Sequence, residues 1–172
     1  MDLAPLIRNV PDFPKPGIQF KDITTLLKNA RAFQYVIDTW KCRYLEQNIQ
    51  AIVGADARGF IFGGALAYAM RLPFIPVRKR GKLPAKTISG DFELEYGVDS
   101  IEIHVDALVP GQRVVLIDDL LATGGTMAAT VALVKSLGAE IVEVSFLIEL
   151  AALKGREKLA GLPVHSFITF EE

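Results

Sequence analysis

The stretch Val114-Val115-Leu116-Ile117-Asp118-Asp119-Leu120-Leu121-Ala122-Thr123-Gly124-Gly125-Thr126 organises the whole chain. Its four leading apolar residues have the pattern of a strand buried on both faces of a parallel sheet. Two adjacent carboxylates, Asp118 and Asp119, are expected to end that strand. A Thr- and Gly-rich loop follows, and then a helical pattern over residues 127–137. In open α/β sheets, ligands bind beyond the carboxyl ends of the strands. Thr123, Gly124, Gly125 and Thr126 offer an anion backbone N–H groups and hydroxyls, with the positive end of a helix dipole behind them. The glycines let backbone approach a phosphate with no Cβ in the way. A phosphate needs donors and a sugar diol needs acceptors, so a phosphate cradle beside two carboxylates suits a ribose 5-phosphate.

An ordinary strand–loop–helix connection, with the two acids capping the helix, would share this pattern. Paired acids at a strand end need a reason, and capping is the weaker one. Neither common nucleotide motif is present. Gly54 and Gly59 have the outer spacing of a P-loop, but Phe60 stands where its lysine belongs, and no G-x-G-x-x-G follows a strand.

The 172 residues suffice for one domain with a real core. Hydrophobic residues make up 51% and charged residues 23%, which excludes a disordered chain. A net charge of -1 excludes a general nucleic-acid footprint. The single cysteine, Cys42, allows no internal disulfide, which fits a reducing compartment. The opening MDLAPLIRNV lacks a basic region followed by a long apolar run, so no signal peptide is expected. No apolar stretch reaches membrane-spanning length, and a cytoplasmic protein is expected.

Upstream of the opening stretch, residues 2–8 could form a short helix. Pro11, Pro14 and Pro16 argue against regular structure, and residues 18–24 read as a loop. Residues 30–46 form an amphipathic helical pattern capped by Asn29, with Trp40 and Cys42 as packing residues. A short strand at 51–54 leads into Asp56-Ala57-Arg58-Gly59 and an apolar helix over 60–70; the next strand spans 72–78. The basic run Arg78-Lys79-Arg80-Gly81-Lys82 then follows a strand's carboxyl end and reads as a mobile loop. Residues 92–96 and 101–105 alternate in polarity around a turn at 97–100, a hairpin pattern. Downstream come a strand at 141–148, a helix at 151–160 and a strand at 164–170. The sum is an α/β fold with a mainly parallel sheet and one inserted antiparallel hairpin. His104 and His165 fall within strands without metal-ligand spacing and read as structural.

If such a ribose carries a pyrophosphate at its anomeric carbon, displacing it builds positive charge on the sugar and negative charge on the leaving group. That calls for positioning and electrostatic stabilisation, not a covalent nucleophile. Arg58 and the Lys79–Lys82 segment are the candidate cations. Magnesium is expected as cofactor, held mainly by the substrate's phosphates and by no direct protein cage.

The opening stretch resembles the phosphoribosyl-diphosphate signature of the type I phosphoribosyltransferases. Further segments are similar to the adenine phosphoribosyltransferase family: residues 13–24 (Phe13 to Thr24), Arg78-Lys79-Arg80-Gly81-Lys82-Leu83-Pro84 with Leu94-Glu95-Tyr96-Gly97, Leu147-Ile148-Glu149-Leu150, and Asp56-Ala57-Arg58-Gly59-Phe60. Together they run through nearly the whole chain. The resemblance implies a single type I phosphoribosyltransferase-like domain over residues 1–172, with residues 1–29 as a hood and 79–100 as a flexible catalytic loop and hairpin. It implies ribose and 5-phosphate binding by Asp118, Asp119, Ala122, Thr123, Gly124, Gly125 and Thr126. Pyrophosphate would fall to Asp56, Ala57, Arg58, Arg78, Lys79 and Lys82. Adenine would fall to the backbone of Phe20 and Lys21, with Ala122 and Leu150 lining its pocket. Glu95 would handle the base's proton, Tyr96 beside it and Arg58 completing the catalytic set. Without the resemblance, Glu95 reads as an exposed strand acid. Lys21 and Ala57 depart from the family's usual Arg and Ser; neither change removes a group the reaction requires.

The implied activity is transfer of the phosphoribosyl group to adenine, giving AMP and pyrophosphate in purine salvage, by a homodimer with Arg78 near its interface. Adenine's amine is a donor where hypoxanthine and guanine carry an oxygen, so one site should not serve both well. A transferase for hypoxanthine, guanine or xanthine, and a non-catalytic sensor of phosphoribosyl diphosphate, are the alternatives. A sensor acting on nucleic acid would need spare length or a basic face, which this chain lacks.

Overall fold

The apolar run that opens the central stretch is continuous because both of its faces are covered. In the structure, a computed structural model describing residues 1–94 and 97–171, Val115 and Ile117 pack into one hydrophobic cluster while Val114 and Leu116 pack into another. The elements in chain order are β1 (Arg8–Pro11), β2 (Gln19–Asp22), α1 (Thr24–Leu27), α2 (Ala30–Tyr44), β3 (Ala51–Ala55), α3 (Arg58–Met70), β4 (Phe74–Lys79), β5 (Thr87–Leu94), β6 (Gly97–His104), β7 (Arg113–Leu121), α4 (Gly125–Ser136), β8 (Glu140–Leu150) and β9 (Val164–Phe170).

Seven strands make one sheet in the order β5-β6-β4-β3-β7-β8-β9. Strands β4, β3, β7, β8 and β9 run parallel, and the β5–β6 hairpin adds antiparallel beside β4. This is the expected α/β architecture with its inserted hairpin. The order reverses between β3 and β7, neighbours that are far apart in sequence, so a crevice opens above their carboxyl ends. On one face, Trp40, Tyr44, Phe62 and Leu66 from α2 and α3 cover Ile52, Val115 and Ile117. On the other, Leu133 and Val134 from α4 cover Val53, Leu116 and Phe146. Among the described residues, no helix is long and apolar enough to cross a membrane.

Asn29 caps α2 as expected, its Oδ1 accepting from the Ala32 N–H at 3.2 Å. Trp40 is fully buried and donates from Nε1 to Ser145 Oγ at 2.6 Å. Ser145 Oγ in turn lies 3.0 Å from His165 Nδ1, and burial lowers that imidazole's pKa, so it sits as a neutral structural ring. His104 is likewise structural, its Nε2 3.4 Å from the Ala85 N–H.

Several local expectations are corrected. β7 continues through both acids to Leu121, because β8 goes on pairing with it as far as Glu149. Residues 18–24 are not a loop. β2 pairs with β1 from Arg8↔Asp22 to Pro11↔Gln19, and Pro11 is tolerated at the end of this two-stranded edge. The mixed polarity that read as loop belongs to a small sheet with exposure on both sides. Residues 2–8 hold a single 3-10 turn, Ala4–Leu6. Residues 97–100 are strand, paired from Leu94↔Gly97 to Asp91↔Ser100, so the hairpin is longer than its alternation suggested. Residues 151–160 form two 3-10 turns, Ala151–Leu153 and Gly155–Leu159, in place of one α-helix, since Lys154 between them is left-handed at φ 53°. Cys42 is exposed and does not pack in the core.

Candidate active site

A cavity of about 330 Å³ sits at the switch point between β3 and β7. Asp56, Ala57 and Arg58 line it from the β3 end; Asp118, Asp119 and residues 120–127 line it from the β7 end; Phe146 of β8 closes its back. The topology thus joins two segments some sixty positions apart. Gly59 makes the join possible. A Cβ there would stand 2.9 Å from both Asp118 Oδ1 and the Ile117 carbonyl oxygen, so only glycine lets the start of α3 lie against β7.

The two acids do not cap α4. Asp118 Oδ1 accepts from the Asp119 N–H at 2.8 Å, and the cap position belongs to Gly124 at φ 78°. The first bond of the helix runs from the Ala128 N–H to the Gly124 carbonyl at 2.9 Å. The N–H groups of Gly125, Thr126 and Met127 precede it, which leaves the helix start as an anion seat. Thr123 is exposed at the mouth and Gly124 is buried.

The carboxylates carry strain of a chemical kind. Burial, and then the charge of Asp119, pushes the Asp118 pKa well above the ordinary carboxylate range. Burial also raises Asp119, against the pull of the Arg58 charge. Arg58 Nε lies 2.9 Å from Asp119 Oδ2, but its N–H is not directed at that oxygen, which is buried and without a hydrogen bond. The same guanidinium lies over the Phe20 ring, 5.3 Å from its centroid. Arg58 therefore connects the paired acids of β7 with the β1–β2 hairpin.

The remaining sequence-expected residues sit around this centre. Asp56 is held by Arg78, Nε to Oδ2 at 3.0 Å, which places Arg78 one step behind the cavity wall. Lys79 pairs with Asp99 at 3.1 Å, and the Lys82 N–H donates to Glu102 Oε1 at 3.1 Å; neither lysine lines the cavity. Glu102 also receives the Gly81 and Leu83 N–H groups, at 3.1 and 3.0 Å, so it organises the start of the basic loop. Phe20 stacks edge-on with Phe13 at 5.1 Å. The Lys21 ammonium donates to Asn9 Oδ1 at 3.2 Å and lies 4.3 Å from the Phe170 ring centroid. Leu150 packs against the α2–α3 cluster. Phe20, Lys21 and Leu150 are outside the cavity lining, whereas Ala122 is within it. Glu95 and Tyr96 lie outside the described residues.

Four cavity residues, Leu120, Leu121, Met127 and Phe146, escaped the sequence reading because each sits among apolar residues that read as core. Gly59 and Glu102 escaped it too. The acid in β6 looked like one polar position of an alternating strand, and only the fold brings three N–H groups to it.

The chain matches the Phosphoribosyl transferase domain over residues 22–167 and belongs to that family. Within it the chain belongs with the adenine phosphoribosyltransferases. It is 53% identical to the adenine phosphoribosyltransferase of Clostridium tetani over 171 residues, 99% of each chain. The crystal structure of adenine phosphoribosyltransferase from Thermoanaerobacter pseudethanolicus superposes with a TM-score of 0.93 at 53% identity, covering 98% of both chains. The Saccharomyces cerevisiae enzyme, complexed with an imino-altritol bisphosphate and adenine, gives a TM-score of 0.89 at 41% identity over 94% of both chains.

Proposed function

We propose that this protein transfers the 5-phosphoribosyl group from phosphoribosyl diphosphate to adenine, giving AMP and pyrophosphate in purine salvage. One observation carries the reading of the site: the Asp118–Asp119 pair and the Thr123–Thr126 helix start share one cavity at the sheet's switch point, and a buried Asp119 oxygen there has no hydrogen bond. Acceptors for a ribose diol and donors for a phosphate stand side by side.

In the reaction, the carbon–nitrogen bond to adenine forms at the anomeric carbon as the carbon–oxygen bond to pyrophosphate breaks. Asp118 and Asp119 hold the ribose hydroxyls, and residues 123–126 hold the 5-phosphate. Asp56, Ala57 and Arg58 face the departing pyrophosphate, with Arg78 fixing Asp56, Lys79 at the end of β4 and Lys82 on the adjoining loop. Phe20 and Lys21 offer backbone to the adenine edge, with Ala122 and Leu150 toward its face. Glu95 takes the proton that adenine gives up, with Tyr96 beside it. Among the described residues no three His, Cys, Asp or Glu side chains are grouped to hold a metal. The cavity's hard donors are the Asp56, Asp118 and Asp119 oxygens, which suit magnesium carried in by substrate phosphates. When bound, magnesium would offset the negative charge of the diphosphate. The protein works as a homodimer in the cytoplasm, with Arg78 near the subunit interface.

The test is turnover of phosphoribosyl diphosphate with magnesium and each purine base, read as pyrophosphate release. Release with adenine alone is expected. Release with hypoxanthine or guanine and none with adenine would overturn the base assignment, and tight phosphoribosyl-diphosphate binding without turnover on any base would make the protein a sensor.

A further inference from the structure

The loop that ends β7 does not stand alone; another segment is wedged against its back. Gly155 opens the second 3-10 turn and is buried. A Cβ on Gly155 would overlap the Ala122 carbonyl oxygen and come within 2.8 Å of Leu121 Cδ1. The contact is reciprocal: a Cβ on Gly124 would stand 2.5 Å from the Gly155 carbonyl oxygen. Two glycine backbones are therefore pressed together directly behind the residues that line the cavity.

The next residue anchors the wedge. Arg156 donates from Nε to Glu149 Oε1 and from Nη2 to Glu149 Oε2, both at 2.6 Å. Arg156 Nη1 donates to the Val164 carbonyl at 2.9 Å, and Nη2 to Ser166 Oγ at 3.1 Å. Ser166 Oγ itself donates to Glu149 Oε2 at 2.7 Å. Glu149 is buried in β8 and is the register partner of Leu121 in β7. The contacts close a ring: Leu121 to Glu149 through the sheet, Glu149 to Arg156 through a forked ion pair, and Gly155 back onto Leu121, Ala122 and Gly124. A bidentate guanidinium–carboxylate pair fixes orientation as well as distance.

We propose that Gly155, Arg156 and Glu149 are positioning residues for the Ala122–Thr126 loop, holding its N–H groups at the spacing a 5-phosphate requires. This rests on reading that loop as the seat of a ribose 5-phosphate. None of the three touches the reacting atoms. The 5-phosphate is held alike in the ground and transition states, so loosening its seat raises KM and leaves kcat nearly alone.

The same strand supplies a control. Glu143, near the start of β8, also forms a fork, with Arg43 at 2.7 and 2.6 Å, but its partners Arg43 and Tyr44 belong to α2, and Glu143 is not part of the ring of contacts behind the loop. The experiment compares Gly155→Ala, Glu149→Gln and Glu143→Gln by titration calorimetry with ribose 5-phosphate, by KM and kcat for phosphoribosyl diphosphate, and by Tm. Gly155→Ala and Glu149→Gln are expected to weaken ribose 5-phosphate binding and raise KM by about tenfold, with kcat within about threefold of wild type. Glu143→Gln is expected to lower Tm and leave binding unchanged. If Gly155→Ala does not fold, Glu149→Gln decides. Loss of Tm in Glu149→Gln with binding and KM unchanged overturns the proposal. A wild-type protein that binds ribose 5-phosphate but turns over no purine base sinks the acceptor assignment and leaves this comparison valid. A wild-type protein that does not bind ribose 5-phosphate overturns both.

Discussion

Arg58 Nε stands 2.9 Å from Asp119 Oδ2, yet that buried oxygen accepts no hydrogen bond among the described residues. The pair is held by charge without directed bonding. A buried acceptor left open costs free energy, and natural structures keep such a cost where a ligand will relieve it. A ribose hydroxyl is a donor of the right kind. Asp119→Asn keeps the volume and removes the charge and one acceptor. We expect kcat/KM for phosphoribosyl diphosphate to fall by about ten- to a hundredfold, on the order of 1.4 to 3 kcal/mol, the range for hydrogen bonds to a charged group. Steady-state kinetics with saturating adenine measures this; an unchanged KM and kcat would remove Asp119 from the sugar site.

Asp118 makes the opposite case visible in stability. Its folded pKa is raised by burial and by Asp119, so folding favours the protonated acid. The stability it allows is fully present below the unfolded value of 3.8 and is lost as pH rises through the folded pKa. Asp118→Asn, which cannot ionise, should therefore melt above wild type near neutral pH. The gap should open as pH rises from about 4, at roughly 2–4 °C for each kcal/mol in a chain of this size. Ribose 5-phosphate binding should weaken in the same variant, the trade expected where a site is strained for function. Calorimetric melts from pH 5 to pH 8 test it, and a variant that melts below wild type throughout contradicts the burial argument.

The parallel core was legible because burial on both faces leaves a continuous apolar run in β3 and in the first half of β7, which no loop imitates. Asp118, Asp119 and Thr123 to Thr126 were legible for the same reason: chemistry that breaks such a run at a carboxyl end is conspicuous. β2 was not legible, since a strand in a two-stranded edge alternates weakly, with Gln19 exposed and Lys21 buried beneath an aromatic ring. Phe146 was hidden by its own hydrophobicity, and it becomes a wall of the cavity only through its register with Asp118. Gly155 was hidden because the glycine's use is a contact with a loop some thirty positions earlier, and sequence spacing carries no trace of that contact.

Asp22 ties the first hairpin together and offers a test at acid pH. Its carboxylate accepts the Thr24 N–H at 2.8 Å, the Thr24 hydroxyl at 2.9 Å and Arg8 Nε at 2.9 Å. The Thr24 bonds first, then Arg8, lower its pKa to about 2 from 3.8. A depressed carboxylate stabilises above the unfolded value and loses that contribution as pH falls through the folded one. Asp22→Asn should thus show faster hydrogen exchange across residues 8–24 at pH 7, with the difference closing between pH 4 and pH 2. A difference that persists at pH 2 would assign the effect to shape and not to charge.

Glu95 is assigned the base's proton, so its charge state should matter to the chemical step more than to binding. Glu95→Gln is expected to lower kcat by about two to three decades while KM for either substrate changes by less than about threefold. Rapid-quench measurement of the first turnover separates chemistry from product release. Equal losses in affinity with kcat intact would make Glu95 a binding residue.

Gly59 decides whether the two halves of the site meet at all. It sits at the second position of α3, directly after Arg58, and its missing Cβ is the space that Ile117 O and Asp118 Oδ1 occupy. Neither neighbour can yield cheaply: one is sheet backbone paired on both sides, the other is a half-buried carboxylate already bonded to the Asp119 N–H. Gly59→Ala must therefore push the start of α3 away from β7. Overpacking of this kind costs about 1–3 kcal/mol of stability. The displacement carries Arg58 away from Asp119, and misplacement by about 1 Å can cost about a hundredfold in rate. Both kcat and KM for phosphoribosyl diphosphate should worsen, unlike the KM-only signature expected of Gly155→Ala. Raising the magnesium or substrate concentration should not restore kcat, because the lost element is the geometry between Arg58 and Asp119. A Gly59→Ala protein with wild-type kcat and a lowered Tm would show that α3 can shift without disturbing the reacting groups, and would place the catalytic cation somewhere other than Arg58.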